Sequence, residues 1–167
     1  MEAPTPPADS WSVLVSPRSL YRFMSVAEAI TWSLLITGML LKYVVQAGEW
    51  GVQIGGFLHG LVFIAYGMTA VFVGVNQHWS IRLVALACLT AVIPFATLPF
   101  DRALERRTAL DGGWRHTRTD DPRDHTRMSA LLRWMLARPI LLAATMGVAL
   151  VSIMATLLLV GPPGGSS

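Results

Sequence analysis

The sequence predicts an all-α, polytopic helical membrane protein with about four transmembrane helices. Three observations predict it. Hydrophobic residues make up 53% of the chain and charged residues only 14%, whereas a soluble domain carries about 25% charge. The charges crowd into a few short stretches and leave long ones almost bare. Four of those apolar stretches reach the roughly 20 residues that carry a helix across a hydrocarbon core of about 30 Å.

Residues 1–17 read as a disordered tail, rich in Pro and small residues at its start, MEAPTPPADS. It has no basic segment, and the apolar run Val13–Val15 is too short for a secretory signal. The first helix is expected from about Leu20 to Val45 and the second from about Val52 to Val75. Between them Gln46–Gly51, with Gly48, Glu49 and Gly51, is polar and short, which forces an antiparallel pair. The third helix is expected from about Ile81 to Phe100, kinked at Pro94 and ending near Pro99, because neither proline can donate a backbone hydrogen bond. Asp101–Arg138 follows, with nine Arg and six acidic residues. Its Gly- and Pro-containing middle reads as flexible. Its end, MSALLRWMLAR, is amphipathic and suited to the bilayer interface. The fourth helix, about Ile140 to Val160, is uncharged, opens after Pro139 and is stopped by Gly161-Pro162-Pro163. The chain thus divides into a tail (1–17), a three-helix membrane domain (18–107), a polar Arg-rich loop with an amphipathic end (108–138), a fourth span (139–161) and a C-terminal tail (162–167). Trp11, Trp50, Trp79 and Trp134 fall at expected interfaces, where amphipathic rings anchor.

Twelve of the 13 basic residues are Arg, and Lys42 is the exception. They flank apolar helices and form no base-reading face, which argues against a nucleic-acid partner. With four crossings, the N-terminus and second loop share Arg18, Arg22 and Arg82, while the first and third loops share Lys42 and nine Arg. The excess of positive charge predicts a cytoplasmic third loop and both termini outside, against the pull of Arg18 and Arg22 beside the first helix.

Candidate site residues are Glu28, His59 and Lys42. Glu28 lies about 12 Å into the first helix. A carboxylate at that depth must be neutral or paired and faces the bundle interior. It reads as a proton site, a polar ligand contact or a structural hydrogen bond to Ser25, Thr31 or another helix's hydroxyl. His59, in Gly56-Phe57-Leu58-His59-Gly60, reads as an interhelical hydrogen-bonding group or a proton relay. His78, His116 and His125 all lie in loops, so metal or haem ligation within the chain lacks partners, and no cofactor is expected. Helical rise from the shared turn puts Glu28 and His59 about 8–15 Å apart in depth. On that reckoning His59 falls near Thr37, Gly38 and Lys42, and Glu28 near Tyr66, Thr69 and Thr90. Gly56, Gly60, Gly67, Ala70 and Gly74 line the second helix with small residues, which suits close packing within the chain or a homodimer seam. The lone Cys88 sits in an apolar run and reads as a small buried hydrophobe.

Several of these features occur together in one family. Glu28, the pair Lys42-Tyr43, Gly56-x-x-His59-Gly60, Trp79-Ser80 and Ile93-Pro94-Phe95 resemble the bacterial membrane proteins called domain of unknown function 3817. The resemblance covers roughly residues 18–107. Ala29 departs from it, since Gly is expected after the Glu. It implies a helical bacterial membrane protein and assigns no activity; the expected location is the bacterial inner membrane, crossed several times.

No nucleotide loop, Ser-His-Asp set or paired metal motif is present in the sequence, so an enzyme is not expected. The expected partners are the lipid bilayer and other membrane-protein subunits or further copies of the chain. The leading functional expectation is an accessory or interaction subunit of a membrane complex. The alternative is a small proton-coupled transporter or permeation unit in which Glu28 carries the proton.

Overall fold

The computed structural model describes residues 16–160. Trp11, most of the expected N-terminal tail and the C-terminal tail lie outside the described residues. All regular structure within them is helical, as the composition predicts.

Helix α1 spans Pro17–Tyr43 and α2 spans Trp50–Asn76. The start of α1 is set by Ser16, whose hydroxyl accepts the Ser19 N–H at 3.1 Å, and by Pro17 at the first helical position. The two helices run antiparallel, and glycines set their register. Gly38 packs on the backbone of Gly51, and Gly55 on the backbone of Leu34 and Leu35. These contacts hold the axes closer than side chains would allow. Of the expected small-residue stripe, Gly74 packs against Trp79 and Val84, Gly60 meets Met154, Gly56 meets only Leu35, and nothing approaches Gly67. The close approach is therefore made by Gly38, Gly51 and Gly55, one face round from the expected stripe.

The third expected span is not one helix. It is α3, Ile81–Thr90, and α4, Thr97–Arg106, ten residues each. Ser80 caps α3 by accepting the Leu83 N–H. Pro94 does more than kink the helix: residues 91–96 form turns, with Phe95 in the left-handed region at φ 64°. Pro99 does not end a helix but lies in the first turn of α4, where a missing N–H costs nothing. After the break the chain doubles back to the end from which it came. Trp79, just before α3, donates its indole N–H to the Ala109 carbonyl, just after α4, at 2.8 Å. Arg18 and Arg22 of α1 reach Glu105 of α4 at 3.1 and 2.9 Å. Among the described residues, three helices (α1, α2 and the last) are long and apolar enough to cross a membrane. The helical membrane class stands, and the third of four expected spans is replaced by a half-length hairpin.

The doubling back corrects the expected sidedness. The start of α1, the end of α2 and the polar segment after α4 lie at one end of the bundle, not at opposite ends. The polar segment is also folded down, where flexibility was expected. Asn76 accepts the Arg115 N–H at 2.9 Å and donates to the Gly113 carbonyl at 3.1 Å. Leu110 and Asp124 are buried. Asp124 accepts from the Thr119 hydroxyl and lies 3.1 Å from His78 Nε2. That hydroxyl, with Arg115 and His78 nearby, holds the Asp124 carboxyl below its ordinary range. A short 3-10 turn, Pro122–His125, leads into α5, Arg127–Leu136, the expected amphipathic helix. Arg138 stacks on Trp134 at 4.7 Å. Helix α6, Pro139–Val160, then runs beside α2, where Met154 meets Gly60, with none of its residues buried.

Candidate functional site

On α1 the residues Tyr21, Ser25, Glu28 and Thr31 are all buried. Their spacing of three and four places them on one helix face, turned toward α2 and the tip of the α3–α4 hairpin. Nearest the Arg-rich end, the Tyr21 and Tyr66 hydroxyls are 2.6 Å apart. Tyr66 in turn meets the Thr90 hydroxyl at 3.2 Å. One turn deeper, Thr97 at the start of α4 donates to the Ser25 carbonyl at 3.0 Å. Asp101 is buried on the inner face of α4, and its Oδ1 has no hydrogen-bond partner among the described residues.

Glu28 follows, with 0% of its surface exposed. Neither carboxylate oxygen has a hydrogen-bond donor among the described residues. The expected structural partners are already engaged. The Ser25 hydroxyl donates to the Tyr21 carbonyl at 3.0 Å, and the Thr31 hydroxyl to the Glu28 carbonyl at 3.0 Å. What the carboxylate does meet is His59, whose Nδ1 is 3.7 Å from Oε2. The same Nδ1 lies 3.3 Å from the Thr31 hydroxyl oxygen. Which of the two donates depends on the His59 tautomer: with the Thr31 hydrogen on the Glu28 carbonyl, the tautomer protonated at Nδ1 is the one that donates to Thr31. His59 is 9% exposed, and its ring packs at a tilt against Trp32, centroids 4.3 Å apart. Trp32 completes the site by donating its indole N–H to the Ala91 carbonyl at 3.0 Å. That carbonyl is free because α3 has just ended.

The sequence-based separation of Glu28 and His59 is therefore wrong. It placed the start of α2 opposite the end of α1, whereas the glycine contacts pair residue 38 with 51 and residues 34–35 with 55. That slides His59 toward the N-terminal half of α1, opposite Thr31 and Glu28, and away from Thr37 and Gly38. Lys42 takes no part in the site. It pairs with Glu49 at 2.9 Å at the other end of the bundle. Tyr66 and Thr90 join Tyr21 and not Glu28, while Thr69 lines a gap beside α6. Tyr21, Thr97 and Asp101 were not singled out from the sequence. Tyr21 was within reach, since it continues the polar face of Ser25, Glu28 and Thr31 by one turn.

The site is buried and carries two titratable groups, Glu28 and His59, 3.7 Å apart. Among the described residues no three His, Cys, Asp or Glu side chains are grouped to hold a metal ion. At 3.7 Å the carboxylate and the imidazole interact electrostatically and are not directly hydrogen-bonded.

The comparisons with known proteins cover the same segment. A family model described as Domain of unknown function (DUF3817) matches residues 18–106, which takes in α1 to α4 and leaves out α5 and α6. A protein of Streptomyces coelicolor, named as a membrane protein with no stated activity, is 40% identical over 82 residues. Those residues are 48% of this chain and 10% of that protein. No solved structure matches.

Proposed function

The chain belongs to the family described as Domain of unknown function (DUF3817), and from that premise we propose that it is a non-enzymatic, multi-pass protein of the bacterial inner membrane that handles protons at Glu28 and His59. In this reading α1, α2 and α6 cross the bilayer. Helices α3 and α4 form a re-entrant hairpin, each about 15 Å long, half of a hydrocarbon core of about 30 Å. The turns of residues 91–96 then sit at mid-depth. Non-helical backbone survives there only where protein covers it or it lines a cavity; Trp32 satisfies the Ala91 carbonyl, while Val92, Ile93 and Phe95 are exposed on this chain. The topology puts all twelve Arg on one side and leaves Lys42 alone on the other. By the positive-inside rule, that side is the cytoplasm.

One observation carries the proton reading: the fully buried Glu28 carboxylate has no hydrogen-bond donor among the described residues but stands 3.7 Å from His59 Nδ1. An ionised carboxylate alone at that depth costs several kcal/mol. It is stable as a neutral acid beside neutral imidazole, or as an ion pair with imidazolium. Moving one proton interconverts the two forms without net charge in the membrane. The test uses proteoliposomes with an entrapped pH dye and a potassium diffusion potential. Wild-type protein is expected to pass protons, and Glu28→Gln, inserted at normal yield, to pass none. Equal flux from wild type and Glu28→Gln, or wild-type flux no greater than that of protein-free vesicles, sinks the proposal.

A second reading, an accessory subunit of a membrane complex or a homo-oligomer, is supported by α6. None of its residues is buried, and the matched segment is only 10% of the Streptomyces coelicolor relative. Purification in mild detergent separates the readings: a stoichiometric partner or a defined oligomer lost on deleting α6 favours the subunit role, and a stable monomer opposes it.

A further inference from the structure

The geometry points to a binding site for an anionic phospholipid headgroup on α4, formed by Arg102, Arg106 and Arg107. It goes beyond the proton site and rests on the topology proposed above, in which the Arg-rich end lies at a bilayer surface.

Helix α4 divides its charges by face. Asp101 and Glu105, four residues apart, turn inward: Asp101 is buried, and Glu105 is held by Arg18 and Arg22. Arg102 and Arg106, also four apart, turn outward with Arg107 beside them, and all three are exposed. The other guanidiniums of this end include several with partners. Arg18 and Arg22 meet Glu105, Arg115 approaches Asp124, Arg123 grips Asp121 and Arg133 donates to the Asp124 carbonyl. Arg102, Arg106 and Arg107 make no ion pair among the described residues. Three like charges on little more than one turn repel each other unless an anion lies between them. They surround an open patch of the α4 surface that includes Pro99 and Ala103, both exposed. An apolar patch within a guanidinium rim suits a phosphate tethered to an acyl chain better than a free ion. Planar guanidinium forks grip phosphate oxygens two at a time, and basic clefts at the cytoplasmic ends of membrane helices collect acidic headgroups.

The test is native mass spectrometry of the full chain released from nanodiscs of equal phosphatidylglycerol and phosphatidylcholine. Wild type is expected to retain phosphatidylglycerol over phosphatidylcholine. Arg102→Gln/Arg106→Gln should lower that retention at least tenfold, and Arg82→Gln, an exposed Arg at the same end, should leave it unchanged. Equal retention in the double variant, equal loss in Arg82→Gln, or no lipid preference in wild type overturns the proposal. Displacement of the lipid by millimolar inorganic phosphate also overturns it, since the site would then be one for a free anion. Should the Gln variant fail to fold, Arg102→Lys/Arg106→Lys keeps the charge without the planar fork. Its retention should fall below wild type, and unchanged retention counts against the site. None of these readouts depends on proton flux, so the two proposals fail separately.

Discussion

Replacing Gly38 with Ala should disrupt the α1–α2 pair more than any other single-methyl addition between those helices. A Cβ at Gly38 would lie 2.5 Å from the Gly51 carbonyl carbon and 2.8 Å from the Val52 nitrogen. Carbon contacts settle at about 3.5 Å, so the helices must part by about 1 Å or slide in register. The obstacle is backbone on both sides, which no rotamer change relieves. Overpacking of this kind costs about 1–3 kcal/mol, and the upper part of that range is expected here. The parting also draws His59 away from Glu28. Gly56→Ala is the control, because its Cβ would meet only the Leu35 side chain, at an ordinary 3.8 Å. The assay is thermal unfolding in one detergent, followed by intrinsic fluorescence. Gly38→Ala should melt clearly below wild type and Gly56→Ala close to it. Equal melting of the two variants would refute the claim that direct glycine contact sets the register.

Other outcomes follow from single contacts. Tyr66→Phe removes the middle hydroxyl of the row from Tyr21 to Thr90 and leaves the buried Tyr21 hydroxyl unpaired. It should cost about 1–3 kcal/mol of stability, and adding Tyr21→Phe should recover part of that loss in a double-mutant cycle; strict additivity would deny the bond. Asp124 has its folded pKa held below the ordinary value, so its contribution is present above the unfolded pKa and fades as pH falls through the folded one. Limited proteolysis between residues 111 and 127 should therefore be slow at neutral pH and accelerate in acid, with Asp124→Asn already fast at neutral pH. Fast cleavage of wild type at neutral pH would restore the flexible loop expected from the sequence.

The long helices were legible in the sequence because apolar length acts locally. Helix α1 starts three residues before the expected Leu20, at Pro17 behind the Ser16 cap, and α3 starts at Ile81 as expected, behind the Ser80 cap. Glu28 and His59 were legible as interior groups because a titratable side chain within an apolar helix has few places to go. Their meeting was not, since register depends on which glycines touch, and Gly38 carries no local mark of being the one that does. The fate of Pro94 was equally hidden. A proline within an apolar stretch permits a kink or a full turn, and the choice was made by distant partners: Trp79 with Ala109, and Arg18 and Arg22 with Glu105. The same contacts removed the conflict between Arg18 and Arg22 and the Arg-rich loop, which arose only from counting a fourth crossing.

Everything about the polar row and the gathering of Arg depends on the hairpin of α3 and α4 turning back. Cysteine labelling in intact cells tests this directly. On a Cys88→Ala background, single thiols are placed by Ala47→Cys, in the turn between α1 and α2, and by Thr117→Cys, in the polar segment. A half-crossing hairpin puts these positions on opposite sides, so an impermeant reagent should label position 47 and leave 117 unlabelled until the membrane is opened. If α3 and α4 instead made one full crossing, both positions would share a side. Labelling of both, or protection of both, would contradict the hairpin.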